Sequence, residues 1–182
     1  MTLRDVGRWA GFAALTALAG FLGVWAGTAF RDARSAGGPA AVESDLVPGA
    51  AFPAETVVDA AGEPHDIARL AGDGASVMFL AADCGACGMT LERWQPEIAS
   101  GALAGVPVIG VTYDPPERLA DYPAKGAHFP VYRDAERVFG LEHGVTAVPT
   151  VVVVGPGGTI RDRWVGHRDD VDFDRIRELA AG

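Results

Sequence analysis

The chain has 182 residues, room for one ordinary domain and an appendage, and 49% of them are hydrophobic, enough for a packed core. A formal net charge of -9 repels phosphate backbones and excludes nucleic acid as a partner. Only 2 cysteines are present, too few for a disulfide-stapled scaffold or a four-cysteine zinc site.

Trp9 to Phe30 carries no charged residue and matches the roughly 20 residues that cross a hydrocarbon core as a helix. Arg4 and Arg8 precede it, Arg31 and Arg34 follow it, and Trp9 and Trp25 suit the interfaces. A cleaved signal peptide competes, with Gly27-Thr28-Ala29 as a small-residue cleavage site. The apolar stretch, however, exceeds the roughly 7–15 residues of a usual signal-peptide core. The expectation is an uncleaved single-pass anchor, residues 9–30, inside an N-terminal unit 1–30. Both flanks carry two arginines, so the positive-inside rule does not orient it. The domain beyond is expected on the extracytoplasmic side of the cell membrane, where an exported dithiol would have a role. Residues 31–47 are small, polar and Pro/Gly-bearing, and read as a flexible linker to a domain over 48–182.

Within that domain, Glu55–Asp59 and His65–Ile67 flank Ala61-Gly62 as a hairpin. Ser76–Ala82 reads as a buried strand, and Gly85–Ser100 as a helix that Pro96 should kink or interrupt. Val106–Tyr113 is a second buried strand, Pro116–Tyr122 a short helix, Phe129–Tyr132 a brief strand and Ala135–Phe139 a helical turn. Thr150–Val154 and Thr159–Val165 pair around Pro156-Gly157-Gly158, and Val171–Ala180 closes the chain as a helix. This order predicts an α/β fold, a mixed sheet flanked by helices on both faces.

The chemistry concentrates in Cys84-Gly85-Ala86-Cys87, just past a central strand and in the first turn of a helix. Thiols at i and i+3 can close a small disulfide ring, and the helix N-terminus favours a thiolate. Cys84, at the exposed edge, is the expected attacking thiol, and Cys87 the resolving one. A second motif, Val148-Pro149-Thr150, leads into the apolar run Val151–Val154. A proline at the mouth of a central strand breaks the ladder and suits a tight turn with a cis peptide.

The two motifs, in this order, resemble the thioredoxin superfamily over residues 48–181. Pro48-Gly49-Ala50-Ala51-Phe52-Pro53 before a hairpin, the extra material before Pro149 and the N-terminal anchor look more like its membrane-anchored TlpA/ResA-type branch. The resemblance implies a thioredoxin-like sheet and a protein-disulfide oxidoreductase whose redox-active disulfide is its only prosthetic chemistry. No other cofactor and no metal is expected. It also implies a protein thiol or disulfide as substrate, a membrane electron donor, and a substrate groove shaped by Val148, Pro149 and Thr150. The chain departs from the family in places. Asp83 stands where an aromatic is usual, and Met78 where cytosolic thioredoxins keep a buried carboxylate. Asp83 and Glu92 are the carboxylates nearest in sequence and the candidate modulators of thiol acidity. The alternatives for them are a helix cap at Asp83 and a solvated residue at Glu92. An unpaired anion at Asp83 would disfavour the Cys84 thiolate and bias the dithiol toward a reductant.

Three other functions stay open. A peroxiredoxin-type thiol peroxidase would need Thr or Ser three residues before the reactive cysteine and a nearby Arg, and Ala81 holds that position. A copper chaperone on the same fold would recruit a histidine such as His143 or His167 but usually spaces its cysteines by three residues. A redox-inert adaptor would use the groove for binding alone. His143 is also a candidate to reach the dithiol. The acids Asp170, Asp172 and Asp174 have the spacing that opens a calcium loop, but Arg175 replaces the loop's glycine, so they read as the start of a helix.

Overall fold

The computed structural model describes residues 43–182; the expected anchor over 1–30 and most of the linker lie outside them. Among the described residues, no helix is long and apolar enough to cross a membrane. In chain order the strands are β1 (Thr56–Val58), β2 (Pro64–Asp66), β3 (Asp73–Leu80), β4 (Val108–Thr112), β5 (Val131–Arg133), β6 (Thr150–Pro156) and β7 (Ile160–Val165). The helices are α1 (Ile67–Ala71), α2 (Gly85–Ser100), α3 (Asp121–Ala124), α4 (Val138–Leu141) and α5 (Phe173–Ala181), with a 3-10 turn at Pro116–Arg118.

Strand alternation divides the core in two. On β3, Met78 and Leu80 face one side with Val151 and Val153 of β6, while Val77 and Phe79 face the other with Val152 and Val154. The first side is covered by α2 and α5 through Leu91, Trp94, Phe173 and Ile176. The second is covered by Ile67 and Ala71 of α1, Phe139 of α4, and Leu46 and Phe52 of the leading segment. Both central strands therefore read as unbroken apolar runs, as strands buried on two faces must. All strands form one mixed sheet, in the order β2-β1-β5-β4-β3-β6-β7. β3 runs parallel to β4 and antiparallel to β6, which centres it and carries its C-terminal end to the cysteine pair. This is the thioredoxin-like mixed sheet expected from the motif order.

The leading segment packs rather than trails. Leu46 is fully buried, and Gly49 and Phe52 donate backbone bonds to Ile160 and Gly158 at 2.8 and 2.7 Å. His143 clasps this segment from the other side. Its Nδ1 lies 2.9 Å from Asp45 and its Nε2 3.2 Å from Glu55. Burial opposes protonation of His143, but the bonds and charges of Asp45 and Glu55 prevail and raise its pKa above the usual 6.5.

Two local readings change. The stretch after His65 is not all strand: Asp66 accepts from the Ala68 and Arg69 amides and caps the short helix α1. Helix α2 continues through Pro96 to Ser100, where Gly101 at φ 81 ends it. Pro96 and Glu92 are both exposed, so the carbonyl that Pro96 leaves without a donor faces water. Gly74 lies early in β3 at φ +99. An added Cβ there would lie 2.0 Å from the Ala180 carbonyl, so the last turn of α5 closes directly on the β3 backbone.

Candidate active site

Cys84 is the N-cap of α2, with extended backbone and a half-buried side chain. Its Sγ accepts the Cys87 amide at 3.1 Å, and its carbonyl takes the amides of Cys87 and Gly88. The side chain that carries the chemistry thus also caps the helix, and the amides of the first turn point at the sulfur. Cys84 and Cys87 are joined in a disulfide. Their exposure is unequal: Cys87 is 2% exposed and packs with Met78, Leu91 and Trp94. Asp83 is not the cap of this helix.

Across from the pair stands the loop before β6. The Val148–Pro149 peptide is cis. The Val148 carbonyl oxygen lies 3.6 Å from Cys84 Sγ, and the Pro149 carbonyl accepts the Gly166 amide at 2.7 Å. Thr150 is buried and turns its hydroxyl back to the Ala147 carbonyl at 2.7 Å, so it braces the loop rather than facing outward. Val148 is half-buried beside Cys84, and its packing touches both core clusters.

On the other flank a cavity of about 420 Å³ opens beside the sulfurs, lined among others by Cys84, Cys87, Glu92, Tyr122 and Lys125. Glu92 is exposed on α2 at its rim. A second cavity, of about 380 Å³ and mainly apolar, lies at the opposite end of α2 around Ile98, Leu103 and Phe129, remote from the sulfurs.

The segment between β4 and β5 supplies groups that sequence reasoning missed. Arg118 forks onto the Asp83 carboxylate at 2.7 and 3.1 Å, and its Nε bonds Asp121 at 2.6 Å. Hydrogen bonds and charge from Arg118 hold the Asp83 carboxyl below its usual range, with a further contribution from Lys125. Lys125 donates to the Ala82 carbonyl at 2.6 Å, and Asp114 accepts the Ala82 amide at 2.7 Å. The Tyr122 hydroxyl lies 2.8 Å from Asp114 and 2.9 Å from Thr112, and burial pushes it well above the usual phenol range. Nothing in the sequence separates Arg118 from the other surface arginines, because its partner lies 35 positions away.

The pairing corrects the picture of Asp83 as a bare anion beside the thiol. His143 does not reach the dithiol; Asp45 and Glu55 hold it on the other face of the sheet. His167 lies against α2 instead, with Nδ1 3.2 Å from the Thr90 hydroxyl and Nε2 3.0 Å from Asp169. Asp172 caps α5 by accepting the Arg175 amide, the helix-start role expected of these acids.

A half-exposed sulfur backed by a buried partner can take up a disulfide and then release it, and on a thioredoxin-like sheet this is the equipment of a protein-disulfide oxidoreductase. Comparison with known proteins agrees. The AhpC/TSA family matches residues 48–163, and the chain belongs to that family, in keeping with the resemblance of its motifs to the TlpA/ResA-type branch of the thioredoxin superfamily. No curated protein matches the sequence. Among solved structures, it is similar to a thiol:disulfide interchange protein of the thioredoxin family from Chlorobium tepidum TLS, at 25% identity and a TM-score of 0.55. That match covers 76% of this chain and 100% of the other. It shares its fold with the thioredoxin domain of a thiol-disulfide oxidoreductase from Bacteroides vulgatus, at 18% identity and TM-score 0.61, over 75% of this chain and 100% of that one. The fold also matches StoA from Bacillus subtilis, at 18% identity and TM-score 0.54, covering 75% and 99%.

Proposed function

We propose that this protein is a membrane-tethered thiol-disulfide oxidoreductase that exchanges disulfides with exported protein substrates through Cys84 and Cys87. The observation that carries the reading is the unequal exposure of the two sulfurs, Cys84 at the helix cap and Cys87 at 2%. In the reductive direction, the Cys84 thiolate attacks a substrate disulfide and forms a mixed disulfide, while the substrate's other sulfur leaves as a thiolate and takes a proton. The Cys87 thiolate then attacks Cys84 Sγ, closes the intramolecular disulfide and expels the second substrate thiol. Two electrons pass to the substrate, and a membrane electron donor would return them. The oxidative direction is the same path reversed. Asp83 is not a bare anion that would bias the dithiol toward a reductant, because Arg118 pairs its carboxylate at 2.7 Å.

In this reading Val148 and Pro149 form the substrate groove, Thr150 braces it, and the disulfide is the sole redox group. Residues 1–30 anchor the chain, and the catalytic domain outside the cytoplasm takes in 48–182 together with the packed Asp45 and Leu46 at the end of the linker. Ala81 in place of a hydroxyl residue gives a thiol peroxidase no support, and peroxide consumption by the reduced protein is the assay that separates the two activities.

The test is trapping in native membranes. Cys87→Ser should accumulate mixed disulfides with substrate proteins, and Cys84→Ser should accumulate none. Equal trapping by both variants, or none by either, would end the reading.

A further inference from the structure

The dipeptide before the reactive cysteine is held from three directions by one segment, residues 114–125. Asp114 accepts the Ala82 amide at 2.7 Å, Lys125 donates to the Ala82 carbonyl at 2.6 Å, and Arg118 forks onto the Asp83 carboxylate at 2.7 and 3.1 Å. Arg118 is itself oriented by Asp121 at 2.6 Å, and its side chain is 33% exposed while that of Asp83 is 82% exposed. An ion pair this open contributes little to stability. A stabilising role therefore does not account for a bidentate fork tied at both ends next to the reactive sulfur.

We propose that Arg118 is a positioning residue for Cys84: by pinning the Asp83 carboxylate it keeps that anion's charge off the neighbouring thiolate. The inference rests on the oxidoreductase reading and names the group that tunes its nucleophile. Other charged or titratable groups also surround Cys84. Glu92 and Lys125, of opposite sign, share the cavity with the sulfur, and Tyr122 stays protonated there at neutral pH. Asp114 is tied to Tyr122 and the Ala82 amide, and Asp121 to Arg118. On the facing side, Val148, Pro149 and Thr150 bring no charge, and His167 sits at Thr90, nearly two turns farther along α2. Of the two carboxylates that Arg118 pairs, Asp83 is the one adjacent in sequence to Cys84.

The chain has only two cysteines, so in full-length Cys87→Ser protein Cys84 is the sole thiol and can be titrated alone. Thiolate absorbance against pH, with the pH profile of alkylation, gives the readout. Arg118→Ala should move the titration to higher pH and lower the thiolate fraction at neutral pH by about two- to fourfold, the size of one screened charge at several ångströms. Asp83→Asn should move it the other way, by less, because Arg118 keeps Asp121. The double variant should return close to the parent, Arg118→Lys should fall between, and raised salt should shrink the Arg118→Ala shift. General loosening of the loop would move both single variants in the same direction. A shift of the same sign in both, an unchanged Arg118→Ala titration, or a shift that persists without Asp83 would overturn the proposal. The titration needs no substrate, so its failure is distinct from a failure of the oxidoreductase reading, which the trapping experiment addresses.

Discussion

The two walls around the cysteine pair are built from different materials. One is the loop Val148–Pro149 at the mouth of β6, where a cis peptide, an apolar side chain and the Val148 carbonyl face Cys84. The other is the segment 114–125, where Asp114, Arg118 and Lys125 reach across to Ala82 and Asp83. The first wall is an extension of the core: β6 is buried on both faces, and its position follows from packing. The second is held by side-chain hydrogen bonds and ion pairs at the surface. The contrast assigns shape to the first wall and charge to the second. Each can be disturbed without the other.

The largest effect is expected from the packed side. Trp94 is 1% exposed on α2, with ring centroids 6.3 Å from Trp164 and 5.1 Å from Phe173. Trp94→Ala should cost about 3–5 kcal/mol in denaturant unfolding, because a large buried ring leaves a cavity that α2 cannot fill. A loss below about 1 kcal/mol would mean that core packing does not fix the helix bearing the cysteines. On the charged side, Tyr122→Phe removes a hydroxyl shared between Thr112 and Asp114 but leaves the Asp114 bond to the Ala82 amide. A cost of about 1 kcal/mol is expected by the same measurement. A cost as large as that of Trp94→Ala would erase the distinction between the walls.

The smallest effect concerns the clasp on the leading segment. Asp45 and Glu55 raise the pKa of His143 in the folded chain, so its stabilisation is complete below the unfolded value of about 6.5 and is lost as pH rises through the higher folded value. His143→Gln should therefore flatten stability against pH in that window, with its deficit greatest on the acidic side. Unfolding midpoints measured across the window check this, and a deficit that grows toward alkaline pH would contradict it.

The packed wall was legible in the sequence and the charged wall was not, for a physical reason. Val77–Leu80 and Val151–Val154 are buried on both faces, and continuous apolar runs of strand length have few other structures open to them. Cys84-Gly85-Ala86-Cys87 and Val148-Pro149-Thr150 each carry their geometry locally, in a helix start and a proline at a strand mouth. Arg118 and Asp83 meet across 35 residues, and an exposed arginine carries no local mark of its partner. The same gap explains why Asp83 read as an unpaired anion or a cap, and why His143 read as a neighbour of the dithiol. Pro96 misled in the opposite way. A helix-breaking residue is tolerated where the carbonyl it orphans faces water, and exposure is a property of the folded chain.

The two sulfurs divide the labour of exchange, and limited alkylation of the reduced full-length protein distinguishes them. With less than one equivalent of reagent at neutral pH, peptide mapping should find the label on Cys84, because its sulfur is half-exposed and receives the Cys87 amide, while Cys87 is 2% exposed in the core. Label divided equally between the two, or found first on Cys87, would show that Cys84 is not the attacking thiol.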